Sequence, residues 1–228
     1  MRLPKHIGII PDGNRRWAVK NGLPKEAGYQ EGLKPGLELF KLCQQLGIEE
    51  ITYYGFTMDN TKRPREQRLA FTKACVEAVK MLSKENASLL VVGNTESDMF
   101  PKALLPFTIK RQNFGSGGIK VNFLVNYGWQ WDLRNYFTSH EKNPNLTQLI
   151  RSRDISRVDL IIRWGGRRRL SGFPPLQTVY SDFYVVDDYW PDFKAEHLYA
   201  ALKWYDKQDI TLGGNPFFYC FYSNKMLK

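Results

Sequence analysis

Val158–Ser171, VDLIIRWGGRRRLS, is the stretch from which the fold can be read. Val158–Ile162 is a largely apolar run that reads as a buried β-strand, and it ends in four arginines, two glycines and a serine. Near-continuous apolar strands of this kind belong to parallel sheets covered on both faces. In open α/β sheets, ligands sit beyond the carboxyl ends of such strands. Arginines gathered there, with Gly165 and Gly166 letting the backbone turn, suit a polyanion such as a diphosphate, because each guanidinium offers a fork of donors matched to phosphate oxygens. A solvated basic loop has the same composition. A second loop of similar character at the other end of the chain separates the two readings.

That second loop is Pro11–Ala18, PDGNRRWA, which follows the short apolar strand His6–Ile10 and leads into a helical stretch. Strand, glycine-containing turn and helix start form a geometry whose free backbone N–H groups can hold an anion. Arg15 and Arg16 add charge, and Asp12 is placed to hold a Mg²⁺ ion bridging to phosphate oxygens. The loop carries neither a G-x-x-x-x-G-K-[ST] nor a G-x-G-x-x-G pattern, so it is not a nucleotide-binding loop of either familiar kind. By itself it also reads as a helix-capping aspartate beside a turn glycine.

Between the two loops the chain alternates. Strand-like runs fall at His6–Ile10, Ile51–Phe56, Ser88–Val92, Ile119–Val125, Val158–Ile162 and Phe183–Val186. Helical spacing of apolar residues marks Leu33–Leu46 (Leu33, Leu37, Phe40, Leu46), which stops at Gly47, then Arg65–Glu85 (Leu69, Val76, Val79, Leu82) and Glu196–Lys207 (Leu198, Leu202, Tyr205). Asn113–Gly118 and Thr138–Asn145 read as polar loops. This alternation implies an α/β fold, a mostly parallel sheet flanked by helices. The second strand leads into GFTMDNTKRP, Gly55–Pro64, with Thr57 and Asn60 as hydrogen-bonders and Lys62 and Arg63 as cations. The fourth leads into NYGWQWD, Asn126–Asp132. Polar or basic loops after the first, second and fifth strands are most economically explained by one site for two diphosphates.

Composition sets bounds. With 228 residues, 43% of them hydrophobic, the chain can bury one sizeable core, so a single domain over 1–228 is expected. No apolar run approaches the ~18 residues that span a bilayer, and the first residues hold too short an apolar segment for a signal peptide. Cys43, Cys75 and Cys220 are odd in number and follow no metal-ligand spacing. That usage fits a reducing, cytoplasmic setting. A net charge of +10 calls for an acidic partner. Nucleic acid is set aside, because the basic stretches lack any RNP-like aromatic motif. His6, His140 and His197 show no ligand spacing, and no role is assigned to them. Trp129 and Trp131 read as core.

The motifs, in order, resemble those of the cis-prenyltransferase family, of the undecaprenyl diphosphate synthase type, along nearly the whole chain. DGNRRWA (Asp12–Ala18) is similar to the family's signature loop, and FTMDNTKRP to its FSTENWKRP-like motif. NYG (Asn126–Gly128) matches as it stands. IIRWGGRRRLSGF (Ile161–Phe173) resembles IIRTGGEKRLSNF, and YSDFYV (Tyr180–Val185) resembles YSELYF. WPDF (Trp190–Phe193) and LKWY (Leu202–Tyr205) complete the series. The resemblance implies a homodimer that joins an allylic prenyl diphosphate to isopentenyl diphosphate. It makes Asp12 the essential acid of the diphosphate and Mg²⁺ site, with Asp182 where the family has a metal-binding Glu. It also places the allylic diphosphate against Gly13, Asn14, Arg15, Arg16, Lys25, Tyr29 and Arg63, and the acceptor diphosphate against Arg163, Arg167, Arg169 and Ser171. Asn60 would orient the reacting groups. Contact with a membrane would come only through the product. DDYWPD (Asp187–Asp192) imitates the aspartate-rich motif of trans-prenyltransferases, but those are all-helical, and here the run reads as a structural corner.

The departures from the pattern cluster in the acceptor half. Arg167 replaces the usual Glu of the GGE turn, Thr61 a Trp, Gly172 an Asn, and Pro174, Pro175 and Leu176 the usual LLW. Tyr29 stands where a His is common; it can donate a hydrogen bond but brings no positive charge. The tail, KQDITLGGNP (Lys207–Pro216), lacks the arginines that in relatives complete the partner's acceptor site. Two enzymatic readings remain open: regular cis-elongation, and lavandulyl-like head-to-middle coupling with dimethylallyl diphosphate as acceptor. A non-catalytic partner subunit is a third reading, opposed by the intact Asp12, Asn14, Arg16 and Arg63.

Overall fold

The computed structural model describes residues 1–209; Cys220 and the tail from residue 210 on, where the arginine-poor stretch continues, lie outside the described residues. Strand β1 is His6–Ile10, followed by helices α1 (Asn14–Lys20), α2 (Ala27–Glu31) and α3 (Leu33–Gln45). Next come β2 (Glu50–Tyr54), a 3₁₀ turn at Met58–Lys62, α4 (Arg65–Leu82), β3 (Ala87–Val92), α5 (Pro106–Ile109), β4 (Gln112–Phe114) and β5 (Ile119–Leu124). Helices α6 (Trp129–Phe137) and α7 (Leu146–Leu149), β6 (Leu160–Arg163), β7 (Asp182–Val185) and α8 (Ala195–Asp206) complete the series. The sheet order is β4-β3-β5-β2-β1-β6-β7, parallel throughout except for β4, which runs antiparallel to β3. The expected mostly parallel α/β sheet is therefore present, with one strand, β4, in a stretch that reads partly as loop. Among the described residues no helix is long and apolar enough to cross a membrane.

Every strand from β1 to β3 is buried along its length, and the two faces of the sheet are covered differently. One face carries Ile7, Ile9, Ile51, Leu89, Val121 and Ile162 against α3, α4 and α8. Leu198, Leu202 and Tyr205 of α8 pack inward as their spacing predicts. On α4 the inward stripe is Ala74, Cys75, Val79 and Leu82, whereas Leu69 is 59% exposed. Helix α3 ends where Gly47 adopts φ +74 and the Ile48 N–H turns back to the Cys43 carbonyl, a left-handed stop that a glycine accommodates without strain. Burial pushes the Cys75 thiol up to about 12, and that of Cys43 further; neither is poised as a nucleophile.

The second face holds Ile10, Tyr54, Leu124, Trp131 and Phe173 near the carboxyl ends of the strands. Phe173 lies so close to β1 that a Cβ on Gly8 would come within 2.8 Å of its ring. Toward the amino ends the same face turns polar. His6 meets Thr52 at 2.8 Å, Asn122 donates to Glu50 at 2.7 Å, Ser156 donates to Glu50, and Arg111 donates to Asn122 at 2.7 Å. Adjacent strands in register bring these groups together, His6 beside Glu50 and Thr52 beside Asn122. Each hydrogen bond offsets the cost of burying the group that makes it.

Candidate active site

Strands β1 and β6 are neighbours, so the loops that follow them meet. Beyond Ile10 the backbone bends through Asp12 and Gly13, the latter at φ +104, and α1 begins at Asn14. Asp12 is the junction. Its Oδ1 accepts from the Gly13 N–H at 2.6 Å, its Oδ2 accepts from Arg163 Nη2 at 2.7 Å, and Arg16 Nη2 stands 3.4 Å from the same oxygen. Burial alone would raise the Asp12 carboxyl. The hydrogen bond and charge of Arg163, then Arg16 and the Gly13 amide, outweigh it and hold the group below the usual carboxylate range.

Arg163 closes β6 and is 3% exposed. Besides Asp12 it donates to the Arg169 carbonyl and, at 2.8 Å, to Ser171 Oγ. It is therefore the rivet between the two loops. The arginine loop itself is folded by backbone in the left-handed region at Gly165, Gly166, Ser171 and Gly172. At Gly165 the reason is visible: Arg16 donates to its carbonyl at 2.8 Å, and a Cβ there would lie 2.5 Å from the Arg16 guanidinium. Ser171, a non-glycine at φ +53, is held by Arg163 on its hydroxyl and by Tyr54, which donates to its carbonyl at 2.7 Å.

The loops border an open basin of about 760 Å³. Among the described residues it is lined by Arg15, Arg16, Lys20, Lys25, Arg63, Arg163, Arg167 and Arg169, against two carboxylates, Asp12 and Asp59. Gly13, Asn14, Tyr29, Asn60 and Ser171 complete the set expected from sequence, so the structure brings all of it together except Asp182. Individual residues are engaged differently. Arg15 donates to Gln67 on α4 at 3.1 Å, and Arg63 donates to Tyr29 Oη at 2.9 Å. Asn60 accepts from the Thr57 N–H at 3.2 Å, capping the 3₁₀ turn. Lys25, Arg167 and Arg169 are exposed. Arg168, in the same arginine run, does not line the basin.

Asp182 is corrected. It begins β7, in register with Leu160 three residues before Arg163, and lies beside Asp159 and Arg2. At ~3.3 Å per residue this is about 10 Å down the sheet from the Asp12 edge, and burial with the neighbouring Asp159 raises its carboxyl. Strand direction, which the motif does not encode, puts it at the opposite end. Among the described residues no group of three or more His, Cys, Asp or Glu forms a metal cluster. The donor set still fits Mg²⁺, which typically takes one or two carboxylates together with substrate phosphate oxygens and water: Asp12 is the carboxylate, and the basin supplies room for the phosphate.

Reading the sequence missed Tyr189, Asp59 and Tyr54. Tyr189 stacks under Arg16 at 5.0 Å, and its neighbour Trp190 donates its N–H to the Asp12 carbonyl at 3.0 Å. The DDYWPD run does act as a corner: Asp188 pairs with His197 at 3.0 Å and Asp192 accepts from Trp17 at 2.7 Å, so its aspartates point to separate partners. Through that pair and the His6 network, two histidines without an assigned role have structural ones. Trp131 is buried as expected, whereas Trp129 is 43% exposed near Gly172. Behind the basin lies an apolar cavity of about 90 Å³ between α3, α4 and the sheet, lined by Leu33, Leu37, Phe71, Ala74, Cys75 and Phe123 among others.

A family model described as putative undecaprenyl diphosphate synthase matches residues 10–213. An isoprenyl transferase of Clostridium acetobutylicum is 32% identical, over 93% of this chain and 90% of that one. The farnesyl-diphosphate-specific ditrans,polycis-undecaprenyl-diphosphate synthase of Aliivibrio fischeri is also 32% identical, over 92% and 89%. In three dimensions the chain superposes on lavandulyl diphosphate synthase of Lavandula x intermedia, crystallised with dimethylallyl diphosphate, with a TM-score of 0.79, 22% identity and coverage of 93% and 99%.

Proposed function

The chain belongs to the undecaprenyl diphosphate synthase family of prenyltransferases, and from that premise we propose that it transfers a prenyl group from an allylic diphosphate to a five-carbon isoprenoid diphosphate. One observation carries this reading: a basin of eight cationic residues adjoins an apolar cavity across Asn14, Tyr29 and Phe71. Phosphates belong in the first hollow and a hydrocarbon in the second.

In the reaction the allylic C1–O bond breaks and its electron pair leaves with the diphosphate. The acceptor's double bond then attacks C1, and the resulting cation loses a proton. Arg16, Arg63 and the loop amides would take up charge developing on the leaving oxygen, the kind of preorganised stabilisation that dominates many enzymatic rates. Asp12 would hold Mg²⁺, which when bound would supply further neutralisation of diphosphate charge. Arg169, Ser171 and Arg167 would hold the acceptor diphosphate, and Asn60 would orient the reacting groups. A homodimeric, cytoplasmic enzyme that meets membranes only through its product is the corresponding proposal for assembly and location.

Arg167 favours a second reading within this class. It lines the basin where the family motif that this loop resembles has a Glu, a difference of two charges beside the acceptor. That would turn the acceptor's alkene and admit dimethylallyl diphosphate in head-to-middle coupling. Labelled isopentenyl and dimethylallyl diphosphates, supplied with Mg²⁺ separately, together, and with geranyl, farnesyl and geranylgeranyl diphosphates as longer allylic donors, test both readings by mass spectrometry of the dephosphorylated products. Incorporation of label into a C–C-coupled product is expected. Exclusive use of isopentenyl diphosphate would leave regular elongation, and no coupling in any combination would overturn prenyl transfer.

A further inference from the structure

The basin and the apolar cavity share Pro11, Asn14, Tyr29, Gly55 and Phe71, and two of these are aromatic rings in contact. Tyr29 and Phe71 lie face to face, centroids 4.5 Å apart and 1° from parallel. Both flanks of the stack are braced. Arg63 donates to Tyr29 Oη at 2.9 Å, and its guanidinium lies 5.6 Å over the Phe71 ring. On the inner side Phe71 meets the fully buried Phe56 edge-on at 5.5 Å. The far wall is as firm: Tyr53 donates to the Gly36 carbonyl at 2.8 Å, and Leu82 and Phe123 belong to the main core.

The space behind the stack is about 90 Å³. An apolar cavity of ~150 Å³ holds a benzene molecule, so this one has room for no more than a single five-carbon isoprenoid unit. Tyr29 and Phe71 stand at the mouth that basin and cavity share, so with the far wall fixed the surplus of a longer hydrocarbon would crowd the mouth and force the stack to part, against the Arg63 hydrogen bond and the Phe56 contact. Resting on the prenyl-transfer reading, we propose that the Tyr29–Phe71 stack is the length determinant for the allylic donor and restricts it to dimethylallyl diphosphate. Asp12 and the arginines recognise the diphosphate of any allylic donor; the stack sets the length of hydrocarbon behind it.

Calorimetric binding of dimethylallyl, geranyl and farnesyl diphosphates tests this without turnover. A single surplus methylene in a hydrophobic pocket costs about tenfold or more, so wild-type protein should bind dimethylallyl diphosphate at least about tenfold more tightly than farnesyl diphosphate. Phe71→Leu, which keeps an apolar side chain but cannot stack, should narrow that gap to about threefold or less. Phe71→Ala should do the same, and circular dichroism would verify the fold of each. Tyr29→Phe keeps the rings and drops the hydrogen bond, so it should retain the length ranking. Equal wild-type affinities, or an unchanged ranking in folded Phe71→Leu, would overturn the proposal. Turnover run alongside separates the two claims: efficient transfer from farnesyl diphosphate sinks the length limit and leaves prenyl transfer standing, whereas the predicted ranking without transfer supports the limit and sinks the reaction.

Discussion

The two ends of the same strands carry similar chemistry and opposite fates. At the carboxyl end Asp12, Arg16 and Arg163 form a charged junction; at the amino end His6, Glu50, Asn122 and Ser156 form another. The heart of the amino-end network is sealed, with His6 2%, Glu50 3% and Asn122 0% exposed and their partners within the protein, while Ser156 at its rim is exposed. The carboxyl-end junction opens onto a basin where Lys25, Arg167 and Arg169 remain exposed. Polar groups inside a sheet edge do not make a site. Donors left over for a ligand, with water able to reach them, do.

The largest break in that comparison is Asp12→Ala. It removes the carboxylate that joins the loops and leaves the buried Arg163 guanidinium facing the basin without its acid. One preorganised electrostatic contact is worth ~10²–10³ in rate, so turnover should fall by that order while circular dichroism stays unchanged. Near-wild-type turnover in purified Asp12→Ala protein would remove Asp12 from the chemistry.

Arg169→Ala sharpens the comparison within the open end. The Arg169 side chain is exposed on the basin, whereas its carbonyl accepts from Arg163 whatever its side chain. A charge-assisted hydrogen bond discounted for exposure is worth about tenfold in affinity. Acceptor binding should weaken by that factor, and binding of the allylic diphosphate by about twofold or less. Equal losses for both ligands in direct binding would contradict two separate diphosphate positions.

The open end was legible in sequence and the sealed end was not, for a physical reason. Asp12–Arg16 and Arg163–Ser171 are each contiguous, and each follows an apolar strand, so local reading finds them and strand polarity sends both to one edge. His6, Glu50, Thr52 and Asn122 are scattered one or two to a strand, and only the β5-β2-β1 adjacency and its register assemble them. Asp182 failed the other way: its motif is local and recognisable, but its place at the start of β7 depends on where that strand begins. The Tyr29–Phe71 stack joins α2 to α4 across 42 residues of separation, 71 minus 29, and no spacing rule reaches that far.

The smallest effect, and the one that probes the sealed end, is in stability rather than rate. Burial lowers the His6 pKa from its ordinary 6.5, and Glu50, the Arg157 and Ser156 carbonyls and Asp159 only partly restore it. The folded protein therefore binds fewer protons at His6 than the unfolded chain does below pH 6.5. Stability should be flat above that pH and fall as the pH drops through it, by at most about 1.4 kcal/mol per pH unit for one proton, until folded His6 also protonates. Glu50, whose pKa is lowered from 4.5 by His6, Ser156 and Asn122 against its burial, adds its own loss only below 4.5. The window between 4.5 and 6.5 thus contains the His6 contribution apart from that of Glu50. Urea melts of wild-type protein and His6→Gln across it should differ in slope, with the variant flatter though less stable at neutral pH. Identical slopes would show that the amino-end network holds no titrating histidine, and the contrast between the two ends would then rest on exposure alone.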